Sequence, residues 1–68
     1  MVRRAFNFLR AVSQLGAPRL SLAGREFAVH QAVEYAVGEE LGEAFRISGD
    51  KLAVRLGDGV LRVLYLPL

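Results

Sequence analysis

One histidine, His30, stands between two carboxylates at four-residue spacing, Glu26 before it and Glu34 after it. On a helix that spacing makes a row of touching side chains. Such a row suits a base tuned by neighbouring acids, or half of a metal site. The chemistry stops there. The chain has no cysteine and no second histidine, so no ligand set of the usual His/Cys kind is completed, and the row reads as a solvated helix face. Ser13, Ser21 and Ser48 offer hydroxyls, but none stands in a Gly-x-Ser-x-Gly elbow and His30 is the one available base. Glu39, Glu40 and Glu43 crowd as acid–base carboxylates would, yet contiguous glutamates at a helix end mark a solvated face. Gly57-x-Gly59 reads as a turn, because no helix follows to offer its N-terminus to a phosphate. These residues describe a protein that is not an enzyme and uses neither a cofactor nor a metal.

Charge is the stronger signal. Residues 1–25 carry Arg3, Arg4, Arg10, Arg19 and Arg25 with no acid, a block of +5. Residues 26–43 carry Glu26, Glu34, Glu39, Glu40 and Glu43 with no Lys or Arg, a block of −5. The remainder mixes Arg46, Lys51, Arg55 and Arg62 with Asp50 and Asp58, and the net charge is +2. Arg3, Arg4 and Arg10 project together and define an anion or nucleic-acid site, with Arg19 and Arg25 as its extension. Three arginines are a small footprint for nucleic acid, and five glutamates on so small a particle repel phosphates. Opposed patches therefore favour docking of the basic segment on the acidic one, within the chain or between copies.

The elements that must position these groups follow from periodicity. Residues 2–15 read as an amphipathic helix, with Val2, Ala5, Phe6, Phe8, Leu9, Val12 and Leu15 on the apolar side and the arginines opposite. Phe6 and Phe8 then serve as core anchors. Residues 19–24 read as an extended connector, with a short strand on the alternation of Leu20 and Leu22, or an Ala23-Gly24 hairpin turn, as other options. Residues 25–43 predict a second helix on the spacing of Val29, Val33, Ala36 and Val37, outrunning its apolar stripe near Gly38. Residues 45–67 predict a three-stranded antiparallel meander turning at Gly49-Asp50 and Gly57-Asp58-Gly59. The fold class expected is α+β, one domain with two helices on one face of that meander.

The last predicted strand, Val60 to Leu66, is apolar on both faces, as in strands buried on both sides. Two helices cover only one side of a sheet, so the other side calls for a second subunit. Size points the same way: 68 residues, 53% of them hydrophobic and none cysteine, lie where a lone core needs a staple. The expected function is a small interaction module acting as a homodimer or higher oligomer. Its contact residues are Val60, Arg62, Leu64 and Leu66 with Glu39, Glu40 and Glu43. The alternative is a nucleic-acid or DNA-replication accessory protein that uses the basic helix.

Val37-Gly38-Glu39-Glu40-Leu41, followed by Gly49-Asp50-Lys51-Leu52-Ala53-Val54 or Asp58-Gly59-Val60-Leu61-Arg62-Val63, resembles the DciA-like family. That family has a KH-like domain and serves bacterial replicative-helicase loading. The resemblance covers about residues 33–63 and implies a replication accessory role with no catalytic residue to transfer. The family's tryptophan ahead of the Val-Gly pair falls near Val33, and this chain has no Trp. Arg3-Arg4-Ala5-Phe6 is similar to the core of a twin-arginine export signal, but Asn7, Arg10, Ser13 and Gln14 interrupt the apolar stretch such a signal needs. The expected location is therefore the cytoplasm, with no membrane span. Eight Arg against one Lys, with much Ala, Leu, Val and Gly, suggest a GC-rich genome, and the scarcity of Asn, Gln, Met and Cys suits a thermophile.

Overall fold

A computed structural model describes residues 1–67. One helix, α1 (Val2–Val12), precedes five strands: β1 (Arg19–Leu22), β2 (Arg25–Val37), β3 (Phe45–Ser48), β4 (Lys51–Leu56) and β5 (Gly59–Pro67). The strands form one antiparallel sheet in the order β1-β2-β5-β4-β3, curled into a half-barrel. This corrects the expected two helices on a three-stranded meander. The N-terminal helix and the C-terminal meander are present, but the second predicted helix is the long strand β2. Among the described residues, no helix is long and apolar enough to cross a membrane.

The periodicity of β2 explains the difference. Its ladder with β5 pairs Val29 with Tyr65, Gln31 with Leu64, Ala32 with Val63 and Glu34 with Arg62, so the register shifts twice and His30 and Val33 are extra residues. Each shift is a β-bulge, which bends the strand and increases its twist. The core-side residues of β2 are Phe27, Val29, Ala32 and Tyr35. Their spacing is two, then three, then three. An apolar residue every third position is what a helix face also shows.

Local turns confirm the strand reading. Ala23 and Gly24 both have positive φ, 50° and 79°, which suits the two-residue hairpin turn that joins β1 to β2. The expected connector is therefore β1 and its turn. Gly38 ends β2 at φ +84° and donates its N–H to Asp58 O at 2.8 Å. It is a strand terminator, where the sequence suggested a helix interior or a bend.

β2 leaves the sheet centre through residues 38–44, which lead to the far edge, and β3, β4 and β5 step back until β5 lies beside β2. The concave face collects Phe27, Val29, Leu52, Val54, Leu61 and Val63 against Val2 and Leu9 of α1. Phe27 meets Phe45 and Tyr65 edge-on with centroids 5.8 Å and 5.3 Å away, and Phe6 lies 5.1 Å from Tyr35. These tilted aromatic pairs fix orientation as well as burying area.

Gly59 opens β5 where the backbone of β2 comes closest. A Cβ there would overlap Ala36 O, whereas one at Gly57 would meet only the flexible Met1 side chain. Gly59→Ala is expected to destabilise the fold by about 3 kcal/mol, as forced overpacking does. Gly57→Ala is expected to change stability by less than about 1 kcal/mol. Paired urea titrations measure both.

Candidate interaction surface

The acidic block is largely consumed within the sheet. Arg62 NH1 donates to Glu39 Oε1 at 3.3 Å and its NH2 donates to Oε2, a two-pronged pair, while Nε lies 4.0 Å from Glu34 Oε1. Arg46 pairs with Glu43 at 3.5 Å and Arg19 with Glu26 at 3.8 Å. Glu40 is exposed and makes no ion pair among the described residues. With no second helix, the opposed helix charges expected from the sequence do not form. Sheet arginines, not those of α1, answer the glutamates. His30 is exposed at a bulge, and on a strand a four-residue step spans about 13 Å, so Glu26, His30 and Glu34 form no touching row.

The Arg62–Glu39 pair also anchors the segment that follows β2. Leu41, within that segment, is buried and shares a cleft with Ala53 and Arg62, and Val60 is fully enclosed. That end of the outer face is thus covered by the chain itself, where the sequence suggested a second subunit. Farther along β5, Leu64 is half-buried and Leu66 is exposed. Val37-Gly38-Glu39-Glu40-Leu41 closes a strand here, not a helix.

A second polar anchor went unread in the sequence. α1 begins at Met1 without a side-chain cap of its own. Asp58, from the β4–β5 turn, accepts the Val2 N–H at 2.9 Å through Oδ1, and the Met1 ammonium lies 3.3 Å from Oδ2. A carboxylate at a helix N-terminus satisfies free donors and complements the helix dipole. The sequence signal was an acid between two turn glycines, but nothing local tied it to a helix 56 residues away.

Both anchors shift their carboxyls. The Arg62 guanidinium, chiefly by hydrogen bonding, holds Glu39 below its ordinary range and raises Arg62 in return. For Asp58, partial burial pushes upward, but the Val2 N–H and the Met1 ammonium together outweigh it and the net shift is downward.

Cations without ion pairs among the described residues include Arg25, Lys51 and Arg55 of the sheet as well as the arginines of α1. Arg3, Arg4 and Arg10 are exposed and without ion pairs among the described residues. Arg25 instead lies over the Phe27 ring, 5.1 Å from its centroid, a cation–π contact. One flank of α1 is apolar and uncovered: Met1, Phe8 and Leu15 are 70%, 62% and 90% exposed. Met1 and Phe8 stand seven residues apart and so share one flank of the helix, and Leu15 lies in the turn beyond its end. Leu15 N–H bonds Val12 O at 2.9 Å, carrying the helical turn past Val12. Phe8, expected in the core with Phe6, stands on this flank because Val2, Phe6 and Leu9 already fill the side facing the sheet.

Phe8 also forms the lip of a groove of about 410 Å³ between α1 and the sheet. Its walls are Ala5 and Leu9, then Leu20 and Leu22 of β1, Val54 and Leu56 of β4, and Leu61. Arg19 and Ser21 stand at its edge, and no carboxylate lines it among the described residues. Neither the flank nor the groove is visible from one helix's periodicity, because the walls come from four separate elements. No family model matches the chain, and comparison with curated proteins and with solved structures finds no match.

A depressed carboxyl contributes stability above its unfolded-state pKa, and that contribution is lost as pH falls through the lower folded-state value. Glu39→Gln and Asp58→Asn are therefore expected to lower the urea midpoint at neutral pH. The gap to wild type should shrink as pH drops through the depressed values of the two groups. Leu41→Ala is expected to cost about 2 kcal/mol at neutral pH, at the low end for a buried leucine because one side of its segment is solvent.

Proposed function

We propose that the chain is a small, non-enzymatic interaction module that binds its partner on the flank of α1 and in the adjoining groove. The observation that carries this reading is the run of exposed apolar surface from Met1 and Phe8 into the Leu20, Leu22 and Leu56 walls. Apolar surface that is contiguous and rimmed by charge marks binding sites, whereas single exposed apolar residues do not. Groove-lining side chains on a helix and three strands also hold their positions without a partner, which limits the ordering cost of binding.

A second reading is a nucleic-acid or replication accessory role for Arg3, Arg4 and Arg10, the role that the DciA-like resemblance implies. Their freedom from intrachain ion pairs favours it. Phosphate contacts of this kind weaken steeply with salt.

Titration of the labelled chain with a panel of small apolar fragments, followed by amide and methyl NMR shifts, tests the first reading. The expected shifts cluster at Leu9, Leu20, Leu22, Val54 and Leu56. A cluster at Leu64 and Leu66 on the opposite face, or none, would count against it. For the second reading, a labelled oligonucleotide is expected to bind at low salt and to lose binding in an Arg3/Arg4/Arg10→Ala variant.

A further inference from the structure

Resting on that reading, we infer that the segment docking on α1 and its groove is an acidic amphipathic helix of another protein. Three observations set its chemistry. Met1 and Phe8 stand seven residues apart on one flank of α1, the spacing at which one helix receives the knobs of another, and Leu15 follows in the turn beyond its end. α1 itself is about 16 Å long at 1.5 Å per residue, a match for about three turns of a partner. The groove beside it is concave and apolar, the shape that takes the apolar face of a helix.

Charge then selects the sign of the partner's flanks. Arg4 sits between Met1 and Phe8 against a shallow depression shared with Ala5, with Arg3 nearby. Neither has an ion pair among the described residues, whereas Arg19 at the groove edge already faces Glu26. The whole stretch from residue 1 to residue 25 holds no acid. A partner with carboxylates beside its apolar stripe meets these arginines, and a basic one is repelled. The same argument disfavours a second copy of α1, which brings Arg3, Arg4 and Arg10 and no acid. The chain's acidic block offers a poor substitute, since Glu26, Glu34, Glu39 and Glu43 already face arginines within the chain. A flat anionic membrane could take Phe8 and Leu15 but would leave the groove unfilled.

Display selection of random peptides of about 16 residues, long enough for about 24 Å of helix, tests the inference on the full chain, with Phe8→Asp as counter-target. The best sequences are then made as free peptides. Enriched peptides are expected to carry Glu or Asp beside apolar residues at i, i+3 or i+4, and i+7, and to gain helicity by circular dichroism on binding. Replacing their acids by Gln or Asn, or using the Arg4→Glu chain, is expected to weaken binding about 5-fold or more, as lost charge complementarity does. Phe8→Asp is expected to weaken it at least about 10-fold, the scale of an interface anchor, with thermal unfolding confirming that the variant is folded. Phe8-dependent peptides that are neutral or basic would overturn the acidic partner and leave the interaction-module reading standing. Peptides that ignore Phe8→Asp, or no enrichment, would overturn both. Phe8-dependent binding to phosphatidylglycerol vesicles without any peptide would replace the helix by a lipid surface.

Discussion

The antiparallel ladder between β2 and β5 is the constraint on which the rest of the molecule depends. It joins two pieces that are separate in the chain, the β1–β2 hairpin and the β3–β4–β5 meander, into one sheet. The two bulges at His30 and Val33 are set in this ladder. Bulges bend and twist a strand, and a strongly twisted central pair gives the sheet a concave side. α1 lies against that side, and its contact with the sheet creates the groove. A flat pairing of the same residues would bring no wall of β1 or β4 around Phe8.

Once the ladder is formed, charge is distributed unequally over the two faces. Arg62 is opposite Glu34 in the ladder and reaches Glu39 beyond the end of β2, so it ties the departing chain to the outer face. Leu41 closes over that face beside it. Asp58, in the turn that starts β5, holds the first turn of α1. Each anchor binds an element to the β2–β5 ladder or its ends, and each uses a carboxylate held below its ordinary range. Glu26, Glu34, Glu39 and Glu43 are paired with arginines of the sheet, and Arg3, Arg4 and Arg10 stay exposed beside an uncovered apolar flank.

Much of this organisation was legible in the residues. The heptad-related apolar positions of residues 2–15, the Gly49-Asp50 turn and the alternation of Leu52, Val54 and Leu56 gave α1 and the meander. What was hidden has a physical cause. In β2 the bulges replace a spacing of two by a spacing of three between Val29, Ala32 and Tyr35, which a one-dimensional reading takes for a helix. Gly38 then looked like a flaw in a helix, although its positive φ ends a strand. The face of β5 with Leu61 and Val63 is buried, whereas on the other face Val60 is enclosed within the chain itself, Leu64 is half-buried and Leu66 is exposed. Phe8 was misplaced because helical periodicity gives a stripe about half a helix wide, and only the sheet decides where its edge falls.

Backbone NMR of the uniformly labelled chain distinguishes a twice-bulged β2 paired with β5 from a helix over the same residues. Cross-strand contacts are expected between Ala32 and Val63, Glu34 and Arg62, and Ala36 and Val60, with His30 and Val33 lacking partners of their own. Strand-like carbon shifts should run from Arg25 to Val37. Continuous sequential amide–amide contacts and helical carbon shifts over those residues, without the cross-strand contacts to β5, would contradict the account.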